Sequence, residues 1–102
     1  DKGATPILVS LTPRNEWPGG KIERRNDTYG KWYREVVAET GVEFVDVHNI
    51  SADYLDHKGQ KKAKAYYNHD HTHTSFKGAQ LNAKSVAKGL KDIHSSLAEY
   101  LK

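Results

Sequence analysis

Two short apolar runs on either side of an amphipathic stretch constrain the fold more than any other feature of this 102-residue chain. The runs cover residues 6–11 and 43–47, and both have the length of a parallel strand that is buried on both faces. Between them, apolar residues recur every three or four positions and predict a helix with one buried face: Tyr29, Trp32, Tyr33, Val36 and Val37. This order predicts a right-handed βαβ unit.

Capping residues predict where the first two helices begin and end. Asn26 or Asp27 is expected to cap the helix between the strands, and Gly41 is expected to end it in a left-handed conformation. Ser51 is expected to cap a short helix over residues 52–58. Trp32 lies on the apolar stripe of the first helix and is therefore predicted to belong to the core.

The last third of the chain predicts one long helix. Thr74 or Ser75 is expected to cap it, and an apolar stripe with three- and four-residue spacing continues to Leu97. Gly89 is expected to weaken this helix or to mark a break in it. Residues 61–66, which precede the His-rich segment, are expected to form a helical turn or two.

The composition indicates a folded chain with little apolar material of its own. Leu, Ile, Val and Phe make up 20 of the 102 residues, close to the roughly 20% below which chains tend to be disordered. The net charge is only +3, so charge repulsion does not favour disorder. Two parallel strands are also too few for a stable sheet. We therefore expect residues 1–102 to form a single partial domain, and a start without Met suggests processing, trimming or cutting.

Several functional classes are excluded by what the sequence lacks. It contains no Cys, which rules out a disulfide scaffold, a Cys-based zinc site and a thiol nucleophile. It has no apolar window of about 18 residues, so we expect no membrane partner. The densest basic run, which contains no Arg, consists of Lys58, Lys61, Lys62 and Lys64. It is more typical of a solvated helix face than of a nucleic-acid surface, and a surface for an anionic ligand is the alternative. We therefore expect no nucleic-acid partner.

Residues 69–75 hold the densest chemistry, and the residues alone leave three interpretations open. In the first, Asp70 orients His73, and His73 accepts a proton from a serine hydroxyl, as in a hydrolase triad. In the second, His69, His71 and His73 share one face of an extended segment and form a metal-binding or other non-catalytic binding module. In the third, the segment is a polar loop whose histidines satisfy backbone groups.

The same segment resembles the closing motif of the SGNH (GDSL-type) hydrolases, and most closely their rhamnogalacturonan acetylesterase-like carbohydrate esterases. The motif is Asp70-His71-Thr72-His73-Thr74, followed by Lys77-Gly78-Ala79 and Asn82-Ala83. Earlier segments are similar to that family in order and spacing: Thr12-Pro13-Arg14, Tyr29-Gly30, Glu39-Thr40-Gly41-Val42 and Phe44-Val45-Asp46. The resemblance covers essentially the whole chain.

The resemblance implies a fold, a reaction and roles for two residues. The implied fold is the carboxyl-terminal half of a flavodoxin-like three-layer α/β/α domain, of which this α/β chain supplies two parallel strands plus helices. The implied reaction is removal of acetyl groups from plant cell-wall polysaccharide of the rhamnogalacturonan or pectin type, without a metal or other cofactor. By the family pattern, His73 corresponds to the catalytic base and Asp70 to its orienting carboxylate. The family also implies a secreted or periplasmic location.

The sequence departs from the family in lacking the motifs that supply the nucleophile. It contains neither the Gly-Asp-Ser motif nor the Gly-x-Asn-Asp motif of the oxyanion hole, and none of its six serines suits a nucleophile elbow. We therefore expect the chain to be inactive alone and to need a missing amino-terminal half as a partner. Its other expected partner is an acetylated acidic polysaccharide. A homo-oligomer in which two copies complete each other's sheet is a further alternative.

Three more residues are candidates for substrate binding. Arg14 and Asn15 follow the carboxyl end of the first strand, where ligands bind in open α/β sheets, although a solvated turn explains them as well. Trp17 is interpreted either as a platform for a sugar ring or as a hydrophobic plug. His48 is expected to be a surface histidine or one with satisfied hydrogen bonds.

Overall fold

The two apolar runs form a parallel pair of strands. The structure is a computed structural model that describes residues 3–25 and 27–101. Strand β1 (Ile7–Val9) pairs with β2 (Glu43–Val45), with Leu8 opposite Phe44, and helix α1 (Tyr29–Thr40) connects them. The predicted βαβ unit is thus confirmed. Gly41 ends α1 with a φ of 68°, as expected. Of the two predicted caps, Asn26 lies outside the described residues, and Asp27 is not the cap, since Thr28 takes the N-cap position without a side-chain capping bond.

The second strand is shorter than predicted because the next helix begins earlier. Helix α2 covers Val47–Lys58, and the Asp46 carboxylate caps it by accepting a hydrogen bond of 3.2 Å from the Asn49 amide. The prediction that Ser51 caps this helix is therefore wrong. Ser51 lies inside α2 and is completely buried. The hydroxyl of a serine on the buried face of a helix bonds to residues of neighbouring elements and is not placed to cap the amides of the first turn.

The carboxyl-terminal part of the chain is mostly helical. Helix α3 (Gln60–Ala63) and a 3₁₀ turn (Lys64–Tyr66) lead to the His-rich loop, and helix α4 (Phe76–Asp92) follows it. Ser75 caps α4 as predicted, since its hydroxyl accepts a hydrogen bond of 3.2 Å from the Gly78 amide. Further 3₁₀ turns are present at Pro18–Gly20 and Ser96–Tyr100.

Helix α4 ends five residues before Leu97, where the sequence pattern suggested that it would continue. His94 adopts a φ of 55°, in the left-handed region. The amides of His94 and Ser95 donate back to the carbonyls of Lys91 and Leu90 over 3.1 and 3.0 Å. These two bonds form the Schellman arrangement that closes a helix, with His94 in the position that glycine usually takes.

Helices pack on both faces of the sheet, as expected for a three-layer α/β/α fold. Phe44 points to one face, where its ring lies 6.0 Å from the ring of Tyr33 on α1. Val45 points to the opposite face, where it packs with Leu90 of α4 in a buried cluster. A second cluster, centred on Leu55 of α2, lies away from the sheet. No helix in the described part of the chain combines the length and hydrophobicity needed to cross a membrane.

The apolar stripe of α1 is largely exposed, which contradicts its prediction as a buried face. No described residue of α1 is buried, and the prediction that Trp32 belongs to the core is wrong, since this residue is 55% exposed. Trp32 instead packs edge-on against Tyr29 at 5.2 Å. The sheet of the described residues has only two strands. The apolar surface that α1 can cover is therefore small and consists mainly of the ring of Phe44.

Gly89 is a packing residue and not the helix break that its type suggested. Helix α4 runs through it without interruption, and the residue is buried. A Cβ atom at Gly89 would overlap the Cγ1 of Val45 on β2. The missing side chain therefore allows α4 to lie directly on the sheet.

We expect Gly89→Ala to lower the free energy of unfolding by about 1 kcal/mol. Alanine is the better helix former by about 1 kcal/mol, but overpacking a core costs roughly 1–3 kcal/mol, and a branched strand residue such as Val45 has little freedom to move. Urea unfolding measures the change. As a control, Val45→Ala should cost less in the Gly89→Ala background than in the parent chain. An increase in stability from Gly89→Ala would contradict the close contact.

Candidate active site

The His-rich loop folds back on itself just before α4. Tyr67 and Thr74 form an isolated antiparallel bridge at its base. Within the loop, Asn68 donates through its amide to the His73 carbonyl over 2.8 Å and through its side chain to the Thr74 carbonyl over 3.1 Å. These bonds close the loop and bring its polar side chains together.

Asp70 is the organising residue of this loop. One oxygen of its carboxylate accepts hydrogen bonds from the amides of Thr72 and His73 over 2.9 and 2.7 Å, which is a local turn typical of Asp. Its other oxygen lies 2.7 Å from Nδ1 of His73. Because an ionised carboxylate can only accept, Nδ1 carries the hydrogen and Nε2 retains its lone pair. This is the tautomer that a general base requires.

The charge on Asp70 is stabilised by the same three bonds. The hydrogen bond from the His73 side chain, followed by those from the His73 and Thr72 amides, holds the pKa of the Asp70 carboxyl at about 2, below its ordinary 3.8. Asp70 is therefore ionised throughout the neutral range. Since its pKa is depressed in the folded state, its stabilising contribution is present above pH 3.8 and is lost as the pH falls through about 2.

His73 is open to an incoming reactant. Its side chain is 76% exposed, whereas that of Asp70 is 50% exposed. None of the six serine hydroxyls forms a hydrogen bond with His73 in the described part of the chain. The sequence interpretation that pairs Asp70 with His73 thus has the expected geometry, and the third member of a triad is not among its described neighbours.

Two contacts attach the loop to the segment that follows β1. The buried Tyr67 donates its hydroxyl to the Pro13 carbonyl over 2.6 Å, and burial raises the pKa of Tyr67 to about 12, so it remains a donor. The amide of Asn15 donates to the His71 carbonyl over 2.8 Å, and Nδ1 of His71 lies 3.0 Å from the Asn15 carbonyl. The loop that carries Asp70 and His73 is therefore held against residues 13–15, in the segment that follows β1. No pattern in the sequence indicated that Tyr67 positions the loop.

The three predicted substrate-binding residues lie in different surroundings. Asn15 borders a shallow groove of about 350 Å³ beside Asp70, and its side-chain oxygen accepts a hydrogen bond of 2.8 Å from Trp17. Trp17 is half-buried and packs against the cluster around Leu55, as a plug would. Arg14 is exposed and borders a separate cavity next to α1. The structure brings only Asn15 to the loop.

The histidines that could form a metal site have different environments. His71 lies against the Asn15 carbonyl and His73 against Asp70, while His69 is exposed. Within residues 3–25 and 27–101, no group of three or more His, Cys, Asp or Glu side chains is arranged to hold a metal ion. The geometry therefore gives no support to the metal-binding interpretation.

A second set of Ser, Asp and His residues lies at the ends of the strands but is not a triad. The Ser10 hydroxyl donates to Asp46 over 3.0 Å and accepts from the His48 backbone amide over 2.8 Å. The ring of His48 points elsewhere, with Nδ1 2.9 Å from the Leu11 carbonyl. His48 is buried, and its Nε2 has no hydrogen-bond partner among the described residues. The expectation of a surface or satisfied histidine is wrong for this residue.

Comparisons with known proteins give two curated relatives. The chain is 31% identical to the "Probable rhamnogalacturonan acetylesterase YesY" of Bacillus subtilis, over 97% of this chain and 48% of that protein. It is 27% identical to the "Rhamnogalacturonan acetylesterase" of Emericella nidulans, over 88% of this chain and 37% of that protein. The chain thus spans about half or less of the length of these relatives. No protein-family model matches it.

We expect the Asp70 carboxyl to titrate near pH 2 and to shift toward 3.8 in His73→Ala, because the His73 side chain is the largest cause of the low pKa. Carboxyl ¹³C NMR measures both midpoints. His71→Ala is the matched control, since His71 lies in the same loop but bonds to Asn15, and it should leave the midpoint near 2. A midpoint near 3.8 in the parent chain would show that the bond is absent in solution.

Proposed function

We propose that this chain, a relative of the rhamnogalacturonan acetylesterases of the SGNH hydrolase type, forms the carboxyl-terminal part of a serine carbohydrate esterase. The observation that carries the proposal is the 2.7 Å contact between Asp70 and Nδ1 of His73, in a loop attached to the segment that follows β1. The proposed substrate is an acetylated acidic polysaccharide of the rhamnogalacturonan or pectin type. The expected location, secreted or periplasmic, follows from where such a polymer occurs.

In the proposed reaction His73 acts first as a base and then as an acid. Its Nε2 takes the proton of a serine hydroxyl supplied by the amino-terminal part, while the serine oxygen attacks the acetyl carbonyl. The imidazolium returns this proton to the sugar oxygen as the ester bond breaks and an acetyl-serine forms. A water molecule then attacks the acetyl group while His73 removes its proton. His73 returns this proton to the serine oxygen as the acetyl–serine bond breaks and acetate leaves. Asp70 holds the ring and stabilises its positive charge throughout.

The exposed apolar surfaces support a missing amino-terminal part of the domain. In the described structure β1 pairs only with β2, so its other edge is free to receive a further parallel strand. On the same unit, Trp32 and Val36 of α1 are 55% and 44% exposed. We propose that residues 1–102 are a single partial domain and that the rest of the domain covers these surfaces. A second copy of the chain is the alternative partner.

A row of lysines supports an acidic polymer as the substrate. Five of them border one groove on the face formed by α3 and the start of α4: Lys58, Lys61, Lys62, Lys64 and Lys77. Lys84 extends this row along α4, whereas Lys88 beyond it is paired with Asp92 at 2.7 Å. Lys64 also borders the groove beside Asp70, so the positive surface reaches the proposed site. A polyanionic chain lying on this surface would be attracted along its length.

We expect His73→Ala in the complete gene product to lower kcat for acetylated rhamnogalacturonan by about 10⁴-fold, since it removes the base of the triad. Acetate release measures the rate. His69→Ala is the matched control, because His69 is exposed in the same loop and forms no hydrogen bond with a described residue; it should change kcat less than twofold. Equal losses in the two variants, or an unaffected His73→Ala, would contradict the proposed roles.

We expect the 102-residue chain alone to hydrolyse p-nitrophenyl acetate no faster than free imidazole at the same concentration. The reason is that no serine hydroxyl of the described residues bonds to His73, so only the acid–base half of the site is present. A spectrophotometric assay of p-nitrophenol release measures this. Robust turnover that His73→Ala abolishes would show that the chain contains its own nucleophile.

A further inference from the structure

Tyr54 on α2 and Tyr66, the last residue of the 3₁₀ turn before the His-rich loop, form a pair of phenols in contact. Their hydroxyl oxygens lie 3.1 Å apart, their ring centroids lie 5.8 Å apart, and the ring planes meet at 75°. An ortho carbon is only two bonds from the hydroxyl oxygen of its ring, so this contact also brings ortho carbons of the two rings close together. The pair is therefore near the arrangement in which two phenols couple.

The two phenols differ in exposure, and this difference fixes the direction of their hydrogen bond. Tyr54 is 40% exposed, whereas Tyr66 is only 5% exposed. The hydroxyl of Tyr54 can donate to solvent, but the hydroxyl of Tyr66 needs a protein partner for its hydrogen. Tyr66 is therefore the donor and Tyr54 the acceptor. The same bond lowers the pKa of the Tyr54 phenol and raises the pKa of the Tyr66 phenol.

Two lysines lie against this pair and favour the loss of a phenolic proton. Nζ of Lys58 is 5.5 Å from the centre of the Tyr54 ring, and Nζ of Lys77 is 4.9 Å from the centre of the Tyr66 ring. Both ammonium charges add to the lowering of the Tyr54 pKa. A phenol that loses one electron also loses its hydroxyl proton, so groups that help this proton to leave make Tyr54 easier to oxidise.

We propose that Tyr54 and Tyr66 are an oxidative modification site, at which hydrogen peroxide and a peroxidase join the two rings through a bond between their ortho carbons. The product, a dityrosine, would link α2 covalently to the base of the His-rich loop, because the Tyr66 carbonyl accepts a hydrogen bond of 3.1 Å from the Ser75 amide. The inference goes beyond the proposed esterase and does not depend on it, since neither tyrosine takes part in the proposed reaction.

In this reaction the exposed ring passes the oxidation on to the buried one. The peroxidase removes one electron from Tyr54, whose hydroxyl proton leaves to solvent, and the phenoxyl radical takes the hydrogen atom that Tyr66 donates to it. Tyr54 is then a phenol again and loses a second electron and proton in the same way. The two radicals bond through ortho carbons, and the two ortho hydrogens move to the phenolic oxygens. In total the pair loses two electrons and two protons, which reduce one hydrogen peroxide to two water molecules.

Exposure of the tyrosines alone predicts a different product. Tyr100 is 78% exposed, and Tyr29 is 40% exposed, like Tyr54, but packs against Trp32. If reactivity followed exposure, the oxidant would couple Tyr100 between molecules, and the amount of product would rise with protein concentration. Coupling of Tyr54 to Tyr66 is intramolecular, so its extent does not depend on dilution.

Peptide mass spectrometry of the oxidised complete gene product tests the site. Hydrogen peroxide and a peroxidase are added at a series of protein dilutions, and the protein is then digested with trypsin. Tyr54 falls in the peptide of residues 35–58, and Tyr66 falls in the peptide of residues 65–77. We expect these two peptides to be joined, with a mass two hydrogen atoms below their sum, in a yield that dilution leaves unchanged.

Variants identify the residues that react. Tyr54→Phe and Tyr66→Phe should each lose the linked peptide, because each lacks one of the two phenols. Tyr67→Phe is the matched control, since Tyr67 lies in the same tryptic peptide as Tyr66 but donates its hydroxyl to the Pro13 carbonyl; it should retain the linked peptide. Tyr29→Phe should retain it as well. The fragment ions of the linked parent peptide should place the bond on Tyr66, and this readout needs no variant to fold.

Three results would overturn the proposal. The first is that the two peptides remain separate at an amount of peroxide that oxidises Tyr100. The second is that the link persists in Tyr66→Phe or that its fragment ions place it on Tyr67. The third is that its yield falls on dilution, which would show that the two rings come from different molecules.

Discussion

A sheet of only two short strands gives its helices little apolar surface, and much of this structure follows from that limit. Val45 is fully covered, because Gly89 allows α4 to lie directly against it, whereas Val9, its partner on β1, stays 44% exposed. The face that carries Phe44 holds α1 mainly through one aromatic contact with Tyr33. The remaining core is built away from the sheet, between α2, the segment around Ile22 and the turn at Tyr66. This second core provides much of the buried apolar surface that stabilises the fold.

The candidate site is largely independent of the size of the sheet. Asp70 takes its position from amides two and three residues ahead of it, and the bridge between Tyr67 and Thr74 closes the loop locally. Only the contacts with Pro13 and Asn15 tie the loop to β1. A hydrogen-bonded Asp–His pair of this kind can therefore form beside a sheet of only two described strands. The serine that it would activate needs a separate segment to bring it into place.

Features set by neighbouring residues were predicted well from the sequence. The order of strands and helix, the left-handed Gly41, the cap at Ser75 and the pairing of Asp70 with His73 each depend on short-range rules. Two local features were missed, the cap at Asp46 and the end of α4 at His94. The errors at Trp32 and His48 concern residues whose environment is tertiary. Trp32 belongs to an apolar stripe, but the spacing of that stripe does not reveal how much apolar surface of the sheet lies opposite it. Likewise, nothing near His48 in the sequence indicates that its ring turns toward Leu11 and is buried.

The hydrogen bond between buried hydroxyls of α2 and α4 restricts the position of α4 along its own axis. Apolar side chains can make similar contacts after a helix slides by one turn, about 5.4 Å. The buried hydroxyls of Ser51 and Ser85, 2.7 Å apart, cannot, because such a slide would separate them and leave Ser85 without its described partner, although Ser51 also donates to Asn82 over 2.8 Å. Ser75 caps the same helix and follows directly on the loop of His73. The contact between Ser51 and Ser85, both more than ten residues from His73 in the sequence, thus helps to fix the position of His73, the proposed base, relative to the sheet.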